Sequence, residues 1–200
     1  MSQQSEHLIS SLAHPSLETE YSPQERRLLL QIARESILSF LESREMSLVS
    51  TSSHLLEPRG VFTTLYSNGR LRGCVGYPAA VLPLYRAVAE TARSAASDDP
   101  RFSPLRIDEA QHLKISLSVL SALRPISPEQ VEVGRDGLVV SQRMFRGLLL
   151  LQVAVEHGWD RITFLEQTCL KAGLPAEAWR TGAKIEAFTA EGFSDEEEES

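Results

Sequence analysis

The spacing of apolar residues predicts two helices in the first half of the chain. Ser22-Pro23-Gln24-Glu25 has the pattern of a helix start, with a capping serine, proline at the first helical position and glutamate at the third. Apolar residues then recur every three or four positions as far as Leu41, which gives one core-facing stripe. A second helix is predicted from about Leu82 to Ser97. Asp98-Asp99-Pro100 ends it, because the residue before a proline disfavours helical backbone.

Alternating and β-branched segments predict strands. Gly60–Tyr66 and Leu71–Gly76 flank Asn68-Gly69, a favoured two-residue hairpin turn. Further strands are predicted at Leu113–Val119, Val131–Val133, Leu138–Ser141, Gly147–Leu151 and Lys184–Thr189. A helix capped by Asp160 is predicted to run to Ala172. Because strands and helices mix without strict alternation, the predicted fold class is α+β, with a mostly antiparallel sheet and packed helices.

The hairpin turn sets a register that divides the strand side chains between two faces. Counting back from Ser67 opposite Arg70 places Thr63 opposite Cys74. Four apolar side chains then form the predicted core face: Phe62, Tyr66, Leu71 and Val75. The other face carries Thr63, Leu65, Arg72 and Cys74. Gly73 falls on the core face without a side chain, which indicates a bulge or the close approach of another backbone.

Composition and charge limit the classes of function. The chain has 200 residues, of which 42% are apolar, and this is ample for a folded core. The acidic run Asp195–Glu199 supplies −5 of the net charge of −7, which leaves about −2 for the rest. A body so close to neutral does not favour nucleic-acid binding or an anionic membrane surface. No apolar run reaches the roughly 20 residues of a membrane span.

We divide the chain into three zones. Residues 1–20 are expected to form a mobile arm, residues 21–193 a folded domain and residues 194–200 an acidic tail. Met1–Ser5 lacks the charged and apolar stretches of a signal peptide. Two cysteines, Cys74 and Cys169, stand far apart and without metal-binding spacing. We therefore expect no disulfide framework and a cytoplasmic localisation.

Cys74 and Arg72 are the candidate catalytic residues. They lie two apart in a predicted strand and so share a face, and a neighbouring guanidinium favours the thiolate, which is the form that reacts. Thr63, Asp99 and Arg101 are candidate substrate-binding residues. The alternatives are structural: Cys74 as a small half-buried side chain, and Asp99-Pro100-Arg101 as a capping and ion-pairing feature.

The other chemically active side chains are assigned structural roles. Cys169 falls on the apolar stripe of its helix and is expected in the core. Three histidines could supply a base to the thiol, but none has a recognisable spacing: His54, His112 and His157. The sequence has no HxH or HExxH pattern, so neither a metal site nor a cofactor is expected.

The strand Leu71–Gly76 resembles the LRGCIG signature of the AMMECR family. Other segments match the pattern of the family: Gly60–Leu65, Ala95-Ala96 with Asp99–Phe102, Leu113–Leu120, Asp136–Leu138, Gly147–Leu150, Gly158–Asp160 and Lys171–Pro175. The resemblance covers roughly residues 24–193. The sequence departs from the pattern at Tyr77, where the family usually has threonine, and at Leu151, where it usually has proline.

The resemblance implies an α+β fold of two lobes and a choice between two functions. The larger lobe is expected at about residues 21–76 and 129–193, and the smaller at about 77–128. Bacterial and archaeal members resemble protein A of the AmmeMemoRadiSam system, which is encoded beside or fused to a Memo-type protein and a radical-SAM protein. The chain is expected to act with these two partners in a modification pathway. The alternative is a cysteine-dependent enzyme with a cleft around Cys74 and Arg72.

Overall fold

The computed structural model describes residues 19–47 and 52–195, whose contacts divide into two compact units. The first unit comprises the described residues up to Val119 and from Glu191 onward, and the second is Leu120–Ala190. The lobes expected from the sequence change near residues 77 and 128, so the two divisions differ. Most of the expected arm and tail lies outside the described residues. Of the tail, Ser194 belongs to a strand and Asp195 is buried, with its carboxylate bound to Arg34.

The described chain forms helices and strands in an irregular order. They are α1 (Pro23–Leu41), β1 (Val61–Ser67), β2 (Arg70–Tyr77), α2 (Leu84–Ser97), α3 (Ile107–Ala110), β3 (Leu113–Leu120), β4 (Arg124–Pro125), β5 (Gly137–Gln142), β6 (Phe145–Leu149), α4 (Leu151–Glu156), α5 (Arg161–Lys171), β7 (Lys184–Phe188) and β8 (Ala190–Ser194). Short 3-10 helices lie at His54–Leu56, Pro128–Gln130 and Ala176–Arg180. The predicted α+β class is confirmed. None of the helices described is long and apolar enough to cross a membrane.

The first unit is a sheet of order β2-β1-β3-β8 with α1 and α2 packed on it. Helix α1 begins as predicted: the Ser22 hydroxyl accepts from the Glu25 N–H at 3.3 Å, and the Glu25 carboxylate accepts from the Ser22 N–H at 3.0 Å. Helix α2 lies beside α1, where the Ser36 hydroxyl donates to the Ala89 carbonyl at 2.6 Å. These two helices and the inward face of the sheet enclose the core of the unit.

The β1–β2 hairpin contains a bulge that the sequence register did not place. Ser67 pairs with Arg70 as predicted, but beyond Tyr66 the register shifts and Leu65 pairs with Gly73. The shift leaves Arg72 as the extra residue on β2.

This shift changes the face assignment on β1 and at Leu71, which pairs with Tyr66, but not on β2 beyond the bulge. The residues of β1 that face the core are fully buried: Val61, Thr63 and Leu65. The predicted core face through Phe62 and Tyr66 is therefore wrong. On β2, Gly73 and Val75 face inward and Cys74 faces outward, as predicted. The two strands differ in this respect because of the bulge at Arg72: beyond it, each residue of β1 pairs with the β2 residue one position later than predicted.

Gly73 allows β2 to lie directly against α2. A Cβ at this position would be 3.1 Å from the carbonyl carbon of Ala95 and closer still to its oxygen. A glycine here indicates a bulge or a close backbone approach, and the structure has the approach at Gly73 and the bulge at the adjoining residue. The backbone around Cys74 is thus positioned by α2.

The second unit is a sheet of order β4-β7-β5-β6 with antiparallel neighbours. Asp160 caps helix α5 as predicted, since the Asp160 carboxylate accepts from the Thr163 N–H at 2.8 Å. Cys169 lies on this helix and is fully buried, as expected. The strand predicted at Val131–Val133 is wrong. The Glu132 carbonyl instead accepts hydrogen bonds from the backbone N–H groups three and four residues later, so a local turn satisfies it without a neighbouring strand.

Candidate functional site

Cys74 lies half-buried on the outward face of the first sheet. The hydroxyl of Thr64, its partner on β1, donates to the Cys74 sulfur at 3.3 Å. The Cys74 N–H donates to the Asp99 carboxylate at 2.8 Å. Because β2 is at the edge of the sheet, it can use its outer backbone groups for a side chain instead of another strand.

Asp99 joins the segment after α2 to the strand that carries the thiol. Its carboxylate is only 3% exposed and accepts four hydrogen bonds. One comes from Cys74, and three come from the backbone N–H, Nε and Nη2 of Arg101, at 3.1, 3.0 and 2.8 Å. These bonds, with the Arg101 guanidinium as the largest cause, hold the pKa of Asp99 well below its ordinary value. The carboxylate is therefore charged at neutral pH.

Arg101 is held at one edge of its guanidinium and open at the other. Its side chain is 55% exposed although its ion-pair partner is buried. The pKa of Arg101 is raised, first by the hydrogen bonds to Asp99 and also by the Cys74 thiol nearby. The guanidinium carbon lies 5.5 Å from the centre of the Phe102 ring. The site therefore combines a thiol with a positive charge whose position is set by a buried carboxylate.

Two residues at this site, Thr64 and Tyr66, were missed by the sequence reasoning. Thr64 donates to the sulfur. Burial first, and the neighbouring Cys74 second, raise the pKa of the Tyr66 phenol. The Asn68-Gly69 turn sets the correct register only as far as the bulge. The signal in the sequence was Gly73 itself, because a glycine inside a strand indicates a bulge, and a bulge just before it places both side chains on the outward face.

Two of the predicted site residues are engaged elsewhere in the first unit. Thr63 is fully buried, with its hydroxyl 2.8 Å from that of Thr91 on α2. Arg72 donates through Nε to the Glu109 carboxylate at 2.9 Å and through Nη1 to the Ser103 carbonyl at 2.9 Å. Its guanidinium therefore ties the segment around α3 to the bulge. Of the five candidates, the structure brings together three: Cys74, Asp99 and Arg101.

Two of the three histidines suggested as bases, His54 and His157, have other neighbours. His54 lies between the carboxylates of Glu25 and Glu20, at 3.2 and 3.4 Å. His157 stacks on Trp159 with ring centres 4.7 Å apart. None of the described hydrogen bonds joins a histidine to the thiol. Over residues 19–47 and 52–195, no group of three or more His, Cys, Asp or Glu side chains is arranged to hold a metal ion.

The fold and this site define an α+β protein with a thiol on a sheet edge beside a fixed arginine–aspartate pair. The family model of AMMECR1 matches residues 30–193, and the chain belongs to that family. The family resemblance of the strand Leu71–Gly76 and its neighbouring segments is thereby confirmed.

Relatives of similar length are known from archaea. Protein MK0488 of Methanopyrus kandleri is 42% identical over 188 residues, which cover 88% of this chain and 91% of the relative. Protein PF1979 of Pyrococcus furiosus is 41% identical over 182 residues, which cover 84% of this chain and 87% of the relative. The crystal structure of Uncharacterized Protein PH0010 from Pyrococcus horikoshii has a TM-score of 0.64 and 40% identity, covering 84% of this chain and 90% of that chain.

Proposed function

We propose that this chain acts through the Cys74 thiol, as a component of a modification pathway in which Memo-type and radical-SAM proteins also take part. The observation that supports a functional thiol is the polar setting of Cys74. A free cysteine kept for packing is typically enclosed by apolar side chains, as Cys169 is. Cys74 has instead a hydroxyl donor, a guanidinium and a buried carboxylate around it.

A thiol in this setting can serve as a nucleophile or hold a substrate group. The thiolate is the reactive form, and hydrogen-bond donors and positive charge stabilise it. Thr64 supplies a donor at 3.3 Å, and Arg101 supplies the charge. These two side chains can stabilise the thiolate once it forms, and the thiol proton passes to water, because neither a hydroxyl donor nor a guanidinium is a base. The described hydrogen bonds of Cys74 include no histidine that could act as one.

Thiol labelling tests the functional role of Cys74 inside the native protein. The full chain is treated with iodoacetamide at neutral pH, and the two cysteine peptides are followed by mass spectrometry. We expect Cys74 to react faster than a free cysteine thiol, while Cys169 stays protected because it is fully buried. Thr64→Val should slow the reaction several-fold, because it removes the hydroxyl and keeps the shape. A rate no faster than that of a free thiol would contradict the proposal.

Co-purification tests the partnership. The chain is expressed together with a Memo-type and a radical-SAM protein from the same organism, and each is tagged in turn. Family membership supports the expectation that the three associate, and failure to associate in any combination would rule against a stable complex.

Cys74→Ser separates a catalytic component from a binding module. If the variant still associates but the pathway product is lost, the thiol takes part in the chemistry. If the variant no longer associates, the Cys74 site is an interface. A variant that keeps both association and product would rule out any functional role for the thiol.

A further inference from the structure

We infer that Arg101 is the anion-recognition group of the Cys74 site, and that the ligand of this site carries an oxyanion, a carboxylate or a phosphate group, next to the atom that the thiol approaches. The inference rests on the proposed function, since it names the class of ligand for the same site.

The hydrogen bonds of Arg101 leave part of its guanidinium available. A guanidinium has five N–H donors in a planar fork. Nε and Nη2 donate to Asp99 at 3.0 and 2.8 Å, and Nη1 takes no part in these bonds. The N–H groups of Nη1 and the second N–H of Nη2 remain for the thiol and for a ligand. Two neighbouring N–H groups in one plane match the geometry of a carboxylate or phosphate.

Arg101 is also fixed before any ligand arrives. Its backbone N–H and its side chain bind the same carboxylate, and its guanidinium lies over the Phe102 ring. A side chain that is already ordered loses little conformational entropy on binding, so more of the hydrogen-bond energy contributes to affinity. This arrangement is typical of a recognition group, in which position matters as much as charge.

The exposure of the two charges favours an anion at Arg101. The Asp99 carboxylate is 3% exposed and its oxygens accept four N–H groups, whereas the Arg101 side chain is 55% exposed. A ligand that approaches from solvent therefore meets the guanidinium. Arg106 and Asp108 make an ion pair of the same sequence spacing in which both partners are exposed, at 77% and 64%. There a ligand meets both charges, so Arg106 is a matched control.

Two alkylating reagents that differ in charge test the inference. Iodoacetate and iodoacetamide react by the same displacement, in which the thiolate sulfur forms a bond to carbon and iodide leaves. The ratio of the iodoacetate rate to the iodoacetamide rate at Cys74 does not depend on the fraction of thiolate, because that fraction enters both rates equally. The reference is the same ratio for a neutral free thiol, N-acetylcysteine amide. If Arg101 binds the carboxylate of iodoacetate, the ratio at Cys74 should exceed the reference by about tenfold.

Substitutions test whether Arg101 is the group responsible. In Arg101→Gln the ratio should fall to within about twofold of the reference, because the charge-assisted hydrogen bonds are lost. Arg106→Gln makes the same change in net charge and should leave the ratio unchanged. A ratio that stays high in Arg101→Gln, or that falls equally in both variants, would overturn the inference.

Competition in the unsubstituted protein keeps the test independent of any effect of Arg101→Gln on folding. Inorganic phosphate or acetate, at constant ionic strength, should slow the labelling of Cys74 by iodoacetate. The stronger competitor identifies the oxyanion as phosphate or carboxylate. If neither anion competes, the inference fails.

The outcomes also separate this inference from the proposed function. A ratio equal to the reference, with Cys74 still faster than the reference thiol toward iodoacetamide, overturns anion recognition and leaves the thiol role standing. A high ratio with slow reaction toward iodoacetamide overturns the thiol role and supports anion recognition, because Arg101 then recognises anions beside an unreactive thiol.

Discussion

Replacing Gly73 by alanine should destabilise the first unit, because this glycine is where β2 touches α2. The added Cβ would lie 3.1 Å from the Ala95 carbonyl carbon and closer still to its oxygen, and these are backbone atoms that no side-chain rotation can move. Carbon atoms pack best at about 3.5–4.0 Å, so strand and helix would have to separate. Overpacking of this kind costs about 1–3 kcal/mol. We expect a cost in the upper part of that range. Replacing a glycine inside a strand recovers about 0.5–1 kcal/mol, so the net effect is still a lower free energy of unfolding.

Gly192→Ala is the matched control. Gly192 lies in β8 of the same sheet, and the nearest atom to a Cβ there is the Leu117 carbonyl oxygen at 4.0 Å. Neither this glycine nor Gly73 has a positive φ, so the two substitutions differ in space and not in backbone strain. Gly192→Ala should change the free energy of unfolding by no more than about 0.5–1 kcal/mol, in the stabilising direction.

The assay must report on the first unit. Both tryptophans, Trp159 and Trp179, lie in the second unit, so tryptophan fluorescence follows that unit and serves as an internal reference. Stability of the first unit is measured by urea-dependent hydrogen exchange of peptides from α2 and β2. If Gly73→Ala matches Gly192→Ala within about 0.5 kcal/mol, with unchanged exchange in both peptides, the close approach does not position β2 and the reasoning is refuted.

Four further substitutions test polar contacts of the first unit, at the thiol and behind it. Arg72→Gln should speed hydrogen exchange in α3 while leaving the alkylation rate of the thiol unchanged, and slower alkylation would show a role in the site. Hydrogen bonds from Arg101 lower the pKa of Asp99, so its charged form contributes stability above its ordinary pKa that is lost as pH falls below about 4. Asp99→Asn should therefore cost about 2 kcal/mol or more at pH 7, and acid unfolding should show a flatter pH dependence. Thr91→Val should cost about 1–3 kcal/mol, more than Thr63→Val, because it leaves a buried hydroxyl without an acceptor; equal losses in urea unfolding would contradict this.

The candidate site could be predicted in part because some of its signals are local. Cys74 on an outward strand face and the pair Asp99 and Arg101 after a helix both follow from short sequence patterns. The pairing of Cys74 with Thr64, and the engagement of Arg72 elsewhere, do not. They depend on a one-residue bulge, which a hairpin turn several residues away does not reveal.

The sequence by itself determined the starts of α1 and α5, the hairpin turn and the family, because caps and turns act within a few residues and the family motifs are read directly. Only the tertiary structure decided which groups meet at the thiol. The contact of Gly73 with Ala95 and the hydrogen bond from Cys74 to Asp99 join β2 to α2 and to the segment after it, the latter across 25 positions. Such contacts form only when the strand and the helix pack together, and packing is what selects Arg101 rather than Arg72 as the charge beside Cys74.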